Sequence, residues 1–230
     1  MNYQNSINVD ASREVFEQLK PSSTKGPLYF FMKRALDIVL ASTLLILFLP
    51  FLLVISFLIF AHDRGSPIFS QERIGLYGRK FKCLKIRTMI VNAQNELDRV
   101  LATDPQAAAE WKRDQKLRND PRITKVGKFL RKTSLDELPQ LINIIKGDMS
   151  FIGPRPIVTS EVKKYGRFFG YYTSVKPGIS GLWQISGRNN TTYDERVALD
   201  VKYAKRKSFR FDLWIMLKTV PVVLLSRGAF

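Results

Sequence analysis

The stretch IVLASTLLILFLPFLLVISFLIFA, residues 38–61, holds 24 residues and no charge. A helix of about 20 apolar residues crosses a hydrocarbon core of roughly 30 Å, so a membrane element is the first expectation. Pro50 stands at its midpoint and divides it into two halves of 12 residues, 38–49 and 50–61. At about 1.5 Å per residue, each half is roughly 18 Å long. Both flanks are basic: Lys33 and Arg34 precede the stretch, and Arg64, Arg73, Arg79, Lys80, Lys82, Lys85 and Arg87 follow it. Positive residues keep to the cytoplasmic side, so the two ends resist lying on opposite faces. A helix bent at Pro50, entering and leaving by one face, satisfies both features. A plain span with a tolerated proline satisfies the length alone.

On the N-terminal side, residues 1–26 are polar and end in Pro21-Ser22-Ser23-Thr24-Lys25-Gly26, which reads as a mobile tail. They do not read as a secretory signal, because the apolar stretch begins far from the terminus and no small-residue cleavage site follows it. The expected organisation is a tail over 1–32, a membrane helix over 33–61 and a soluble-looking domain over 62–230. In that domain, Gly65-Ser66-Pro67, Ile68-Phe69-Ser70, Gly75 and Gly78 suggest short strands joined by turns. Residues 92–117 are rich in Ala, Glu, Lys and Leu, and should be helical around a break at Asp104-Pro105. Apolar residues at 138, 141, 142 and 145 have helical spacing, closed by Gly147. Residues 211–225 are apolar but too short to span a membrane, so a core helix or one in the membrane interface is expected. The fold class is α+β and helix-dominated.

Composition narrows the chemistry. The single cysteine, Cys83, allows no intramolecular disulfide. The single histidine, His62, leaves little material for a His-centred triad or a multi-His metal site, so acids, bases and metal ligands are sought among carboxylates. The formal charge is +17, and residues 1–32 contribute three basic and three acidic side chains, so the whole excess lies from Lys33 onward. An anionic partner follows, with nucleic acid, acidic lipid and phosphorylated substrate all open on this ground.

Asp136 and Glu137 stand in Arg131-Lys132-Thr133-Ser134-Leu135-Asp136-Glu137-Leu138-Pro139. Ser134 and Glu137 have the spacing of a capping box, which would make the acids structural. Adjacent carboxylates beside Arg131 and Lys132 could instead divide nucleophile and metal-ligand roles in phosphoryl transfer. Arg155 lies in Gly153-Pro154-Arg155-Pro156, where two prolines stiffen the backbone around a planar fork suited to phosphate. A solvated turn fits that tetrapeptide equally well. The basic clusters at 79–87 and 122–132 read mostly as solvated faces, with lipid headgroup contact open to some members.

Together these segments closely resemble the bacterial sugar transferase family, the monotopic polyprenyl-phosphate phosphoglycosyl transferases, from about Lys33 to the C-terminus. The resemblance rests on an ordered set: Lys33-Arg34 before an apolar segment with Pro50, Gln71-Glu72-Arg73-Ile74-Gly75, Lys85-Ile86-Arg87-Thr88-Met89, Asp120-Pro121-Arg122-Ile123-Thr124, Ser134 to Leu141, Gly147-Asp148-Met149-Ser150, Gly153-Pro154-Arg155-Pro156 and Lys176-Pro177-Gly178-Ile179. It implies that Asp136 is the nucleophile, that Glu137 helps hold Mg2+, and that Arg131 and Arg155 contact phosphates, with Arg73 and Arg87 as further substrate-binding candidates. It also implies a Pro50-bent re-entrant helix and interfacial amphipathic helices at the cytoplasmic face of a bacterial inner membrane. The expected substrates are UDP-glucose or UDP-galactose and undecaprenyl phosphate, in the initiating step of exopolysaccharide or O-antigen synthesis. No nucleic acid is expected, and homo-oligomerisation is open. The rival readings are a non-catalytic membrane scaffold for polysaccharide assembly and a membrane-tethered nucleic-acid module.

Overall fold

The computed structural model describes residues 26–114, 117, 119–187 and 191–224. Most of the expected tail therefore lies outside the described residues. Helix α1, Pro27–Asp63, runs unbroken through Pro50. Strands β1, Ile68–Ile74, and β2, Lys80–Ile86, pair with one another around a tight turn in which Tyr77 and Gly78 both have positive φ. Helices α2, Ala93–Thr103, and α3, Pro105–Asp114, flank the expected break at Asp104. The chain then forms α4, Lys125–Thr133, a 3₁₀ turn over Leu135–Glu137, and α5, Gln140–Lys146, which ends at Gly147 with φ +92°. Strand β3, Ser150–Ile152, short helices α6, Val162–Tyr165, and α7, Phe169–Thr173, and strand β4, Gly178–Ser180, come next. Helices α8, Leu182–Ile185, α9, Tyr193–Arg206, and α10, Phe209–Leu224, complete the described chain. Helices dominate and the strands form two small sheets, as expected of an α+β chain.

The chain packs as two compact units. Among the described residues, one draws on 26–47, 70–84 and 140–224, the other on 48–69 and 85–139. In the first, β3 and β4 pair in parallel, Ser150 opposite Gly178 and Ile152 opposite Ser180. Ile152, Val175, Leu182, Tyr203, Ala204 and Ile215 form the core beside them. A second cluster holds Ile74, Ile157, Tyr165, Tyr172 and Val197. The first half of α1 joins this unit through polar side chains one helical turn apart, 29, 33 and 37. Lys33 Nζ donates to Asp212 Oδ2 and to the Ile152 carbonyl, both at 3.0 Å. Asp37 is buried and accepts from Ser150 Oγ and Phe151 N, both at 3.0 Å. Arg34 donates to the carbonyls of Ile144 and Ile145 at 2.6 and 2.8 Å. Those carbonyls lie in the last turn of α5, where helical geometry leaves acceptors short of backbone donors; Ile144 O also accepts from Gly147 N at 2.9 Å.

In the second unit, Ile55 and Ile59 of α1 pack with Ile86, Leu130 and Leu135. Asp63 at the end of α1 meets both terminal nitrogens of Arg87. Helix α4 starts at Thr124, whose Oγ1 accepts from Gly127 N at 2.9 Å. Asp120 folds back on Arg122, accepting from its backbone N, Nε and Nη2 at 3.0, 2.8 and 2.7 Å, while Arg122 stacks over Trp111. This member of the 122–132 basic cluster is thus buried, not solvated.

Gly127 seats α4 against residue 88, because a Cβ there would come within 2.0 Å of the Thr88 carbonyl oxygen. Backbone cannot yield as a flexible side chain would, and overpacking of this kind costs about 1–3 kcal/mol. Gly127→Ala should lose that much stability in chemical denaturation of the detergent-solubilised protein. Gly26→Ala, where nothing lies within 4 Å of the new Cβ, should be neutral.

Candidate active site

The end of α4 sets the carboxylates. Ser134 adopts a left-handed conformation, φ 58° and ψ 17°, and its N–H reaches back to the carbonyls of Leu130 and Arg131. Ser134 therefore caps the C-terminus of α4, and its side chain caps nothing in the following turn. The capping-box reading of Ser134 and Glu137 is corrected by this geometry, since an N-cap residue needs extended backbone. The chain reverses at Ser134 and enters the 3₁₀ turn that carries both acids, with Leu135 packed into the apolar cluster around Ile86 and Leu130.

Both acids converge on one ammonium group. Lys85 Nζ lies 2.7 Å from Glu137 Oε1 and 3.6 Å from Asp136 Oδ2. Asp136 is buried, at 8% exposure. Burial raises its pKa above the ordinary carboxylate value; Lys85 opposes that rise, Glu137 adds to it, and Arg131 opposes it. Arg131 donates from Nε to Thr88 Oγ1 at 2.9 Å, and burial lowers its own pKa while Asp136 opposes the change. The structure thus gathers Asp136, Glu137 and Arg131, and adds Lys85, which the sequence reading left in a basic cluster. The available signal was its strand: in β2 and just beyond, Lys85 and Arg87 alternate with Ile86, as side chains on opposite faces must.

The other candidate arginines stand elsewhere. Arg87 is held by Asp63 and by the Ser66 carbonyl. Arg73 and Arg155 belong to the first unit. Arg73 donates to the Pro156 carbonyl at 2.9 Å, and its pKa is lowered by burial and then by the charge of Arg155.

The acid pair also suits a metal. Two hard carboxylate oxygens already face one cationic point, the donor type Mg2+ prefers. Among the described residues, no three His, Cys, Asp or Glu side chains gather. Two carboxylates, water and substrate phosphate form the coordination set that Mg2+ typically takes.

A family description for bacterial sugar transferases matches residues 28–226. The chain belongs to the bacterial sugar transferase family. The chain is 50% identical over 200 residues to the UDP-galactose-lipid carrier transferase of Erwinia amylovora, covering 87% of this chain and 42% of that protein. It is 48% identical over 200 residues to the undecaprenyl-phosphate galactose phosphotransferase of Salmonella typhimurium, again over 87% and 42%. With the exopolysaccharide production protein ExoY of Rhizobium meliloti it shares 47% identity over 204 residues, 89% of this chain and 90% of that protein. The chain therefore spans less than half the length of the first two relatives and 90% of the third.

The charges around Asp136 give opposite expectations for two neighbours. A raised pKa means that the carboxylate is lost as pH falls through a value above the ordinary one. Lys85→Met removes the cation that favours the anion, so the Asp136 titration should move to higher pH. Glu137→Gln removes a like charge, so it should move to lower pH. The carboxyl carbon signal of Asp136, followed by NMR in labelled protein, measures both; shifts of the same sign would contradict the assigned charge balance.

Proposed function

We propose that this chain transfers hexose 1-phosphate, from UDP-galactose or UDP-glucose, to undecaprenyl phosphate, and so initiates an exopolysaccharide or O-antigen repeat. The observation that carries this reading is the buried Asp136 carboxylate, which shares a 3₁₀ turn with Glu137 and is met by Lys85 from β2 and by the charge of Arg131 from α4. The relatives' names supply the substrate class. The nucleophile is an Asp136 carboxylate oxygen, which attacks the phosphorus bearing the sugar. The bond from that phosphorus to the bridging oxygen breaks, and UMP leaves with the electron pair. An oxygen of the lipid phosphate then attacks the resulting acyl phosphate, releases the Asp136 carboxylate and gives the lipid diphosphate-linked hexose. Partial desolvation leaves the carboxylate more reactive, while Lys85 limits the cost of keeping it ionised. Arg131 and Arg155 offset charge on the phosphate oxygens. Glu137, with Asp136 alongside, would hold Mg2+, which would supply Lewis-acid stabilisation of the diphosphate.

The chemical step has a direct test. UMP should form in an amount stoichiometric with enzyme when lipid is absent, with a hexose-phosphate mass adduct on the peptide containing Asp136. Asp136→Asn should abolish the adduct and leave the protein folded. A folded Asp136→Asn enzyme with substantial turnover would rule the mechanism out, and UMP release that strictly needs lipid would favour direct attack by the lipid phosphate.

In the same reading, α1 enters and leaves the membrane by its cytoplasmic face. Support comes from the anchoring of its two halves, 29–37 through polar bonds and 55–63 through packing and Asp63. Both flanks of the apolar run are basic, which favours the same face for its two ends. Exposed Leu213, Trp214, Leu217 and Val220 on α10, flanked by Arg210 and Lys218, suit an interfacial helix. Cysteines introduced at Met32 and Ser66, in a Cys83→Ser background, should both label only from the cytoplasm of intact cells. Periplasmic labelling of either would exclude the re-entrant form.

A further inference from the structure

The Pro154-Arg155-Pro156 loop poses a backbone problem that distant side chains resolve. Neither proline has an N–H to donate, so the loop cannot build an ordinary ladder. Its stability rests on its carbonyls, and four in succession are engaged. Pro154 O accepts from Gly178 N at 2.8 Å and Ile157 O from Ile74 N at 2.9 Å. Between them, Pro156 O accepts from Arg73 Nη1 at 2.9 Å, and Arg155 O from Arg196 Nη2 at 3.5 Å. Two guanidiniums, 123 positions apart in the sequence (73 and 196), therefore grip neighbouring peptide units.

One carboxylate draws both guanidiniums in. Glu161 lies 3.8 Å from Arg73 Nη1 through Oε2 and 3.4 Å from Arg196 Nη1 through Oε1. The same side chain accepts from Val158 N at 3.0 Å and from Tyr193 OH at 3.2 Å, which ties it to the chain just after the loop. Arg196 is buried and packed against the Trp183 and Tyr193 rings, with its guanidinium carbon 4.7 and 5.1 Å from their centroids. Held in this way, Arg196 reaches Glu161 and the Arg155 carbonyl with its terminal nitrogens.

We propose that Glu161, Arg73 and Arg196 form a clamp that fixes the backbone of residues 154–157 and so presents the Arg155 side chain to a phosphate group in one orientation. All three are positioning residues, and Arg73 thereby serves the loop and not the substrate. The clamp rests on the assignment of Arg155 to phosphate made above. Fixing a guanidinium fork in advance matters because a bidentate contact tolerates little angular error, and any freedom left in the backbone would have to be lost on binding.

The test has one arm without substrate and one with it. Amide hydrogen exchange on the full chain in detergent reads Ile157, whose N–H donates to Tyr172 OH, and Gly178, whose N–H donates to Pro154 O. Glu161→Gln and Arg196→Lys should each speed exchange at these two sites by about tenfold, and Arg155→Ala should not. Unchanged exchange in both clamp variants would overturn the proposal, and Arg196→Lys provides the result if Glu161→Gln fails to fold. In turnover, Arg196→Lys should lower kcat/KM for the UDP-sugar by about tenfold in the wild-type background and cost nothing further in Arg155→Ala, since it acts through that residue. Full additivity of the two losses would overturn the positioning role. If no UDP-sugar supports turnover, the reading of Arg155 as a UDP-sugar phosphate ligand falls, and exchange alone decides whether the clamp exists.

Discussion

Asp212 is buried to 2% exposure, and the positive charge that balances it comes from the first turns of an apolar helix. A carboxylate taken out of water costs several kcal/mol unless it is paired and hydrogen-bonded. Lys33 pairs with it at 3.0 Å, and the hydroxyls of Tyr29 and Tyr203 donate to it at 3.0 and 2.8 Å. Withdrawing α1 would strand that charge, so α1 and the β3–β4 core stay together. The far end of α1 is tied by the same means, with Asp63 against Arg87. Between these two pairs the helix offers mostly hydrocarbon, and many of its large apolar side chains are exposed.

That arrangement leads to the acid pair through a few residues of one strand end. Arg87 secures the end of α1, Ile86 packs with Ile55, Ile59 and Leu130, and Lys85 holds Glu137 and Asp136. Three consecutive side chains thus serve anchoring, packing and electrostatics. Thr88, the next residue, accepts from Arg131 and bears on α4 at Gly127. The carboxylates are positioned by protein that is itself pinned to α1, and under the proposed function a site that acts on a lipid phosphate needs a fixed height above the bilayer.

Much of the architecture was legible because it follows from local rules. The uncharged run gave α1, the Asp104-Pro105 break gave two helices, and Gly147 marked the end of α5. The candidate site was legible in its acids and in Arg131, through ordered motifs. What escaped were pairings between distant positions. Lys33 and Arg34 read as a basic flank, yet their partners lie 179 and about 110 residues away, on Asp212 and on the carbonyls of α5. Lys85 and Glu137 are separated by 52 positions, and spacing alone holds no information on such a contact. The capping-box spacing misled because sequence does not reveal that Ser134 takes a left-handed backbone, which turns a helix start into a helix end.

The anchoring of α1 also limits how the protein can be recombined with its relatives. Homologous membrane helices look interchangeable by hydropathy, but positions 29, 33, 34 and 37 carry the addresses of particular acceptors and donors in the first unit. Residues 55, 59 and 63 do the same for the second. Between them, at 42–50, no side chain is buried. A chimera joined inside that window inherits each anchor with its own socket only if the partner residues travel with it, so Asp212 belongs with the first half of the helix and Arg87 with the second. Any single crossover between residues 37 and 63 leaves Asp63 with Arg87 but parts Lys33 from Asp212, so a hybrid keeps its first anchor only when the parent that supplies the C-terminal part carries a matching acid at that position.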